Sequence, residues 1–285
     1  MKIDPRMPAR FAQPGEFSKA DFEYVASFAR EKFGLSLSEA KLPLVKSRVS
    51  RRLRSLGLAD FTSYRAFLEG AEGGAEESLL LSALTTNVTS FFREKHHFDQ
   101  LRDRVLPPLI DKAKKGQTVR IWSAACSTGP EPYSIAMVIR DLCGHSTPPK
   151  IEIVATDIDP VVIEKAKSAT YAAQDRAQIP QPYVARYTKP GAENTFRIEC
   201  DTRKLVKFGT ENLIKPHAVS GLFDVIFCRN AAIYFDHETQ ARLWERFARS
   251  LHTGGVLFIG HSERVHGPAL RHLKNDGITT YKKEG

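Results

Sequence analysis

The chain has few cysteines and no long hydrophobic run. Its four cysteines, Cys126, Cys143, Cys200 and Cys228, form no C-x-x-C pair, which argues against a disulfide framework or a zinc site of the usual spacing. No stretch reaches the roughly 18 consecutive apolar residues of a membrane span. The segment Met1 to Pro14 mixes charges with prolines and has no apolar signal core. We therefore expect a cytoplasmic protein with reduced thiols.

The composition indicates a globular protein with an excess of positive charge. Hydrophobic residues make up 42% and charged residues 26% of the 285 positions, without the Gly or Pro excess typical of disorder. At this length we expect a small domain followed by a large one, each able to bury a core. The formal net charge of +9 indicates an anionic partner, which is nucleic acid, a membrane surface or an acidic protein.

Residues 1–86 have the pattern of a small helical domain. Ser18 and Asp21 stand at capping-box spacing before a first amphipathic helix, which Gly34 ends. A second helix, about Leu42 to Leu56, places apolar residues on one stripe and basic residues on the rest of its surface. Further helices are predicted for Thr62 to Gly70, for Glu76 to Thr86 and, within an interdomain segment at 87–115, for His97 to Lys115.

From residue 116 to 285, strands alternate with helices, which predicts a Rossmann-like, doubly wound parallel sheet. The predicted strands are Val119 to Ala124, Ile151 to Thr156, Leu205 to Phe208, Phe223 to Cys228 and Val256 to Gly260. The predicted helices are Pro132 to Leu142, Pro160 to Ser168 and His237 to Leu251. Between about 171 and 204, prolines, Gly191 and a strand-like segment at Phe196 to Glu199 indicate an inserted β subdomain.

Small and polar residues follow the first two strands, where an open parallel sheet binds its ligands. The turn from Ser123 to Pro132 contains one glycine, Gly129, and small residues that let a ligand approach the backbone. The alternative is a plain tight turn. After the second strand, Asp157 and Asp159 offer one carboxylate for a ribose diol and one for a helix cap, and the pattern does not assign the two roles.

Three other segments carry polar residues without an evident structural need. The apolar fourth strand ends abruptly in Arg229 and Asn230, although Arg229 paired with a nearby acid and Tyr234 as a core aromatic would be a structural alternative. The pair Asn212-Leu213 follows the third strand. The loop from Asn87 to Arg93 is either part of a site or a connector whose phenylalanines pack against a core.

Taken together, these segments resemble the CheR family of chemotaxis methyltransferases, which esterify glutamates on chemoreceptors. The shared motifs run in order along nearly the whole chain: Asn87 to Arg93, Trp122 to Ser134, Asn212-Leu213, Cys228 to Asp236 and Gly260 to Glu263. The resemblance implies an S-adenosylmethionine-dependent protein-glutamate O-methyltransferase. Its fold would be a class I methyltransferase domain at 116–285 with an inserted β subdomain, preceded by a small all-α domain.

The resemblance also implies which residues line the pocket of S-adenosylmethionine. These are Asn87, Thr89, Arg93, Glu131, Asp157, Asn212, Leu213, Arg229 and Asn230. Such a mixture of carboxylates, amides and guanidinium groups suits a ligand with a sulfonium, an amino-acid group and a ribose. Arg93 and Tyr234 would be catalytic, Asp157 would bind the ribose hydroxyls, and the reaction would need no metal.

The sequence departs from the family pattern at two places. Pro130 stands where an acid is usual in the first turn, and Ala231-Ala232 replaces a bulkier apolar pair. Smaller side chains there would widen the acceptor side or loosen the strand packing, which bears on turnover more than on cofactor binding.

The resemblance gives the basic second helix a partner. Arg48, Arg51 and Arg52 would face the acidic helical region of chemoreceptors, the alternative being a solvated helix face. The insert resembles a subdomain that in some members binds a receptor tail at its sheet edge. We expect a monomer that binds no nucleic acid and does not insert into membranes.

Two other functions remain as competing hypotheses. A nucleic-acid methyltransferase would suit the basic charge, but no Asn-Pro-Pro-aromatic motif follows the fourth strand. A non-catalytic module that binds S-adenosylmethionine would not need the two residues expected at the methyl-transfer site, Arg93 and Tyr234.

Overall fold

The computed structural model describes residues 17–71, 73–144, 150–215 and 219–285. The chain splits into two compact units on either side of the Thr86–Asn87 bond. Within the described ranges, no helix is both long and apolar enough to cross a membrane.

In its described residues, 17–71 and 73–86, the smaller unit has four α-helices and a short 3₁₀ turn at Glu39–Lys41. The α-helices are α1 (Lys19–Phe33), α2 (Leu42–Leu56), α3 (Phe61–Glu69) and α4 (Gly73–Leu84). The predicted capping box is present, because Ser18 and Asp21 exchange side-chain hydrogen bonds with each other's backbone N–H. Gly34 ends α1 in the left-handed conformation, with φ of 75°, as the sequence predicts. The stripe on α2 is confirmed at Val45, Val49 and Leu53, which are buried.

A buried ion pair joins α2 to α4 inside this unit. Arg52 donates from Nε and Nη2 to the two carboxylate oxygens of Glu76, at 2.8 and 2.6 Å. The hydroxyl of Tyr64 donates to the same carboxylate at 2.7 Å. Glu76 is only 2% exposed, so both partners are needed to offset the cost of burying its charge. Arg48 donates to the carbonyl oxygens of Leu84 and Thr85 at the end of α4.

The first helix of the larger unit changes its hydrogen-bond pattern twice along its length. It comprises α5 (Lys95–Gln100), a π-helical segment (Leu101–Val105) and α6 (Leu106–Lys114). The sequence predicts one continuous helix here and misses the π segment. The π segment forms because Pro107 and Pro108 have no N–H groups to donate to the carbonyls of the preceding turn. The N–H of Leu106 instead reaches the carbonyl of Leu101, five residues back.

A seven-stranded sheet forms the centre of this unit. Its strands are β1 (Val119–Ala124), β2 (Ile151–Asp157), β6 (Val206–Thr210), β7 (Phe223–Cys228), β8 (Leu251–Ile259), β9 (Leu273–Gly277) and β10 (Thr280–Lys283). They lie in the order β6-β2-β1-β7-β8-β10-β9. The five predicted strands are parallel to one another. The last hairpin is antiparallel, so the sheet is mixed, and its two strands are missed by the sequence prediction.

Helices and a small second sheet complete the larger unit. The helices are α7 (Pro130–Cys143), α8 (Pro160–Ser168), α9 (Gln181–Tyr187), α10 (Cys200–Arg203) and α11 (His237–Ser250). Helix α7 begins two residues earlier than predicted, because Pro130 occupies its first position. The insert contains β3 (Thr170–Ala172), β4 (Thr188–Pro190) and β5 (Thr195–Ile198), an antiparallel sheet in the order β3-β5-β4. The predicted β insert is confirmed.

The central sheet separates two hydrophobic clusters. Along β1, Ile121 packs into one cluster and its neighbour Trp122 into the other, since successive side chains of a strand point to opposite faces. The central strands β1 and β7 are therefore buried on both faces, and every residue of β7 is buried. Because β1 pairs in parallel with both β2 and β7, the carboxyl ends of these three strands lie at one edge of the sheet.

We predict that Glu76→Ala destabilises the smaller unit by about 3 kcal/mol, since it leaves the partly buried Arg52 and the buried Tyr64 hydroxyl without their acceptor. The measurement is urea unfolding followed by far-UV circular dichroism. The matched control is Glu77→Ala, which removes a more exposed ion pair to Lys32 and should cost less than about 1 kcal/mol. Equal shifts for the two variants would contradict the prediction.

Candidate cofactor site

The turn between β1 and α7 has an unusual backbone. Ala125, Ser127 and Gly129 all have positive φ, at 60°, 51° and 93°. For Ala and Ser this conformation is unfavourable, so it persists only where neighbouring groups hold it. The N–H of Cys126 donates to the carbonyl of Thr156, and the N–H of Ser127 donates to Asp157 Oδ2 at 2.8 Å. The turn is thus held against the end of β2.

Gly129 is required by packing. A Cβ at this position would lie 2.9 Å from Cβ of Ala166 on α8 and 3.0 Å from the hydroxyl of Tyr171 in the insert. The structure gives this glycine a close contact with α8 and the insert, and its predicted role of letting a ligand approach the backbone stays a prediction. Its positive φ also suits the residue that precedes α7.

The two aspartates after β2 have separate roles. Asp159 caps α8, because its Oδ1 accepts the N–H of Val161 at 2.8 Å. Its Oδ2 accepts the side-chain amide of Asn87 at 3.0 Å. Asp157 accepts the N–H groups of Ser127 and Asp159, one on each oxygen, and burial raises the pKa of its carboxyl. A carboxylate has about four acceptor positions, so Asp157 retains capacity for ligand hydroxyls.

A buried guanidinium links three of the segments singled out from the sequence. Arg229, directly after β7, lies with Nη1 3.2 Å from Glu131 Oε2 and with Nη2 3.4 Å from Glu94 Oε2. Its Nη2 also donates to the backbone carbonyl of Arg93. The other oxygen of Glu131 accepts the hydroxyl of Ser123 at 2.7 Å. Arg229 therefore does pair with acids, as the structural alternative holds, and both acids belong to this cluster.

The cluster has one fixed cation and two carboxyl groups in a buried environment. Burial raises the pKa of Glu131, and Arg229 and Ser123 offset this only in part. Burial also opposes ionisation of Glu94, but Arg229 and His261 outweigh it, so the pKa of Glu94 lies below its ordinary value. Within the described part of the chain, Arg229 Nε and Glu94 Oε2 are buried and lack a hydrogen-bond partner. Such a donor set fits a ligand with both a cationic and an anionic group.

Glu94, His96 and His97 also form a group whose potential metal-ligating atoms all lie within 4.8 Å of one another. His97 is buried, and desolvation together with the charge of Arg229 lowers its pKa to about 3. Its Nε2 lies 2.8 Å from the hydroxyl of Thr279. Since Glu94 already faces the guanidinium of Arg229, a divalent ion would meet a fixed positive charge. We interpret His96 and His97 as polar groups that hold the side chain of Glu94 in place.

The remaining predicted residues occupy the surrounding loops. Arg93 is half-buried and donates from Nη1 to the carbonyl of Val88 at 3.1 Å. Asn230 has a positive φ of 57°. The hydrogen bonds and ion pairs above join Asn87 to Asp159, Asp157 to the first turn, and Arg229 to Glu131 and Arg93. They do not include the other five predicted residues, Thr89, Asn212, Leu213, Asn230 and Tyr234.

Sequence reasoning misses three members of the site. Ser123 is the first residue of the predicted turn, and Glu94 directly follows the predicted Arg93, but the sequence assigns a role to neither residue. Glu263 belongs to a family motif but receives no role from the sequence, and it is 4% exposed in the structure.

The three arginines predicted to face a partner line one groove between α2 and α4. The groove has a volume of about 350 Å³, and its lining includes Ser82 and Thr85. Arg48 and Arg52 are bound to groups of the same unit, whereas Arg51 is exposed and has no ion pair among the described residues.

Two family profiles and several known proteins match this chain. The family profile described as CheR methyltransferase, all-alpha domain, matches residues 20–85, and the one described as CheR methyltransferase, SAM binding domain, matches residues 87–281. A probable chemotaxis protein methyltransferase of Rhizobium etli is 43% identical over 253 residues, covering 87% of this chain and 94% of that protein. Chemotaxis protein methyltransferase 2 of Pseudomonas aeruginosa is 41% identical over 275 residues, with 94% and 95% covered. The chemotaxis protein methyltransferase of Escherichia coli is 40% identical, with 86% and 85% covered.

Fold and profile together define an S-adenosylmethionine-dependent methyltransferase. The chain belongs to the CheR methyltransferase family, whose similar members are chemotaxis protein methyltransferases. The predicted family, fold class and cofactor are thereby confirmed.

We predict that the affinity for S-adenosylmethionine rises as the pH is raised from about 5 to about 7. The reason is that the raised pKa of Glu131 leaves this group partly protonated at the acid end of the range, while a cationic ligand group favours the carboxylate. Because binding then releases a proton, the dissociation constant falls with pH until Glu131 is fully ionised in the free protein.

Isothermal titration calorimetry measures this dependence, and Glu131→Gln is the control. The variant should bind about tenfold more weakly at pH 7 and show a flatter pH profile, because an uncharged amide has replaced the titrating group. Parallel profiles for the two proteins would show that another group titrates.

Proposed function

We propose that the chain transfers the methyl group of S-adenosylmethionine to glutamate side chains of chemoreceptors. The products are glutamate methyl esters and S-adenosylhomocysteine, formed in chemotaxis adaptation. The observation that carries the proposal is the buried cluster around Arg229, in which the acids Glu131 and Glu94 are held in ion pairs. Acids held in this way are poorly placed to act as general bases. An acceptor that is already ionised at neutral pH suits such a site.

A receptor glutamate is such an acceptor. With an ordinary pKa of about 4.3 it is a carboxylate at neutral pH, whereas a hydroxyl or ammonium acceptor must lose a proton. One carboxylate oxygen forms a bond to the methyl carbon while the carbon–sulfur bond breaks, and the bonding pair stays on sulfur. No proton is transferred and no metal takes part. The protein accelerates such a displacement mainly by alignment of the reacting atoms.

The site residues fall into two sets by the roles that we propose for them. Glu131 would receive the positive charge of the cofactor, Asp157 its ribose hydroxyls, and Asn212 and Leu213 its adenine. Asn87, Thr89, Arg93, Arg229 and Asn230 complete the proposed cofactor set. Arg93 and Tyr234 are the proposed catalytic pair, Arg93 holding the acceptor carboxylate and Tyr234 orienting the methyl group or the acceptor. The hydrogen bond from Arg229 to the backbone carbonyl of Arg93 supports a fixed position for Arg93.

The proposed partner is the cytoplasmic region of a membrane-bound chemoreceptor, which implies a cytoplasmic enzyme acting as a monomer. In this proposal residues 1–86 dock the receptor, 87–115 form the connection and 116–285 carry out the transfer. The β insert at about 171–204 is part of this last domain. Of the three partner-facing arginines, Arg51 is the one whose exposed guanidinium is free to meet an acidic surface. Arg48 and Arg52 add positive potential to the same groove.

We predict that the protein, incubated with methyl-labelled S-adenosylmethionine and receptor-bearing membranes, transfers label to the receptor. Mild base should release this label, because carboxyl methyl esters hydrolyse in mild base. Tyr234→Phe should lower kcat by about tenfold or more, with less than about threefold change in cofactor affinity. Arg93→Ala should lower kcat by a similar factor and also weaken cofactor binding, because Arg93 belongs to both proposed sets. Turnover is measured as label released per unit time, and affinity by calorimetry.

The outcomes separate this proposal from its rivals. Label on nucleic acid would favour a nucleic-acid methyltransferase, and cofactor binding without any transfer would favour a non-catalytic module. Base-stable label on receptors would exclude glutamate esters. Full activity of both variants would remove the proposed catalytic pair while leaving the reaction itself intact.

A further prediction concerns docking: Arg51→Glu should raise the KM for receptor by about fivefold at low salt, with the loss diminishing as salt is added. The matched control is Lys150→Glu, an equal charge change at an exposed residue next to β2. Receptor methylation rates over a salt series provide the measurement, and calorimetry should show unchanged cofactor binding for both variants. Similar KM values for the two variants would show that docking does not use this groove.

A further inference from the structure

A carboxylate behind the strand ends is saturated with backbone hydrogen bonds. Glu263 is 4% exposed, and its Oε2 accepts the N–H groups of Gly260 at 2.6 Å and Asn230 at 3.0 Å. Its Oε1 accepts the N–H groups of Ala232 at 2.8 Å and Ile233 at 3.3 Å. Four donors use the acceptor positions that a carboxylate offers.

These bonds replace the regular structure that the loop after β7 lacks. Between Cys228, where β7 ends, and the short 3₁₀ turn at Ala232–Tyr234, Asn230 adopts a positive φ of 57°. Backbone N–H groups in such a segment need partners when they are buried. Glu263 supplies acceptors to three of them, so the path of the loop follows the position of one side chain.

The turn that carries Glu263 is fitted closely to this loop. A Cβ on Gly260 would lie 2.7 Å from the backbone nitrogen of Asn230 and 2.9 Å from Glu263 Oε2. Only a glycine permits that approach. On its other side, His261 donates its N–H to Glu94 Oε1 and places Nδ1 3.1 Å from the same oxygen. The turn from Gly260 to Glu263 therefore contacts both the loop after β7 and the acid beside Arg229.

We propose that Glu263 is a positioning residue, which fixes the loop bearing Asn230 and Tyr234 against the cluster of Arg229. The inference rests on the proposed function for the role of Tyr234, but the geometry it describes does not. Glu263 acts through the backbone of this loop. Its loss therefore misplaces the acceptor side of the site, while Glu131 and Asp157, on other elements, keep their places.

Glu263→Gln tests the inference, because the amide has nearly the same shape but turns one acceptor oxygen into a donor that faces N–H groups. Hydrogen exchange at Asn230, Ala232 and Ile233 should become about tenfold or more faster. In the methylation assay kcat should fall by about tenfold or more. The affinity for S-adenosylmethionine should fall less, by about threefold, because Asn230 is only one of the nine residues proposed to bind the cofactor. The control is Glu238→Gln, an exposed acid at the start of α11, which should leave all three quantities unchanged.

Thermal unfolding shows whether each variant is folded at the assay temperature, and Glu263→Asp, which keeps the charge but has a shorter side chain, replaces the amide variant if that one unfolds. Unchanged exchange in the loop would overturn the inference. So would a loss of cofactor affinity as large as the loss of kcat, since that marks a general collapse of the site. If the wild-type protein fails to methylate receptors, the proposed function is wrong, and loop exchange still decides the role of Glu263.

Discussion

The burial of one guanidinium is the constraint on which the site depends. Arg229 is 7% exposed, and a charge taken out of water to that extent must be paired. Its partners come from separate elements: Glu131 from the first turn of α7, and Glu94 with the carbonyl of Arg93 from the segment before α5. Satisfying one cation therefore fixes three chain segments at the carboxyl edge of the sheet. The two acids outnumber the cation, which suits the site to a ligand that brings positive charge of its own.

The core of the larger unit was accessible to sequence reasoning because its signals are local. Strands such as Phe223–Cys228 are mostly apolar, with Asp224 as the one charged residue of that strand. The predicted bounds of this strand and of Val119–Ala124 agree with the structure. The strands of the last hairpin were not predicted because β9 is mostly exposed and polar, as is typical of an edge strand. The π segment was not predicted because it depends on the N–H groups that Pro107 and Pro108 lack. The spacing of apolar residues carries no information about hydrogen bonds.

The site was accessible in part, and the division has a physical cause. Acids and amides at strand ends are visible in the sequence, and the family resemblance names them. Which aspartate caps α8 depends on backbone geometry, and the structure assigns that role to Asp159. The pairing of Arg229 with Glu131 spans 98 residues, a separation at which sequence pattern carries no information. For the same reason the sequence assigned Arg48 and Arg52 to a partner, although both have hydrogen-bond partners within their own unit.

The central claim is that the cluster around Arg229 receives the charged end of the cofactor. A crystal structure of the complex with S-adenosylhomocysteine tests it most directly, because the product keeps the amino-acid group and the ribose. The account predicts the ligand's ammonium group within about 3.2 Å of a Glu131 oxygen and its ribose hydroxyls at the same range from Asp157. A ligand bound away from the turn between β1 and α7, or one with its amino-acid group remote from Glu131, would contradict the account.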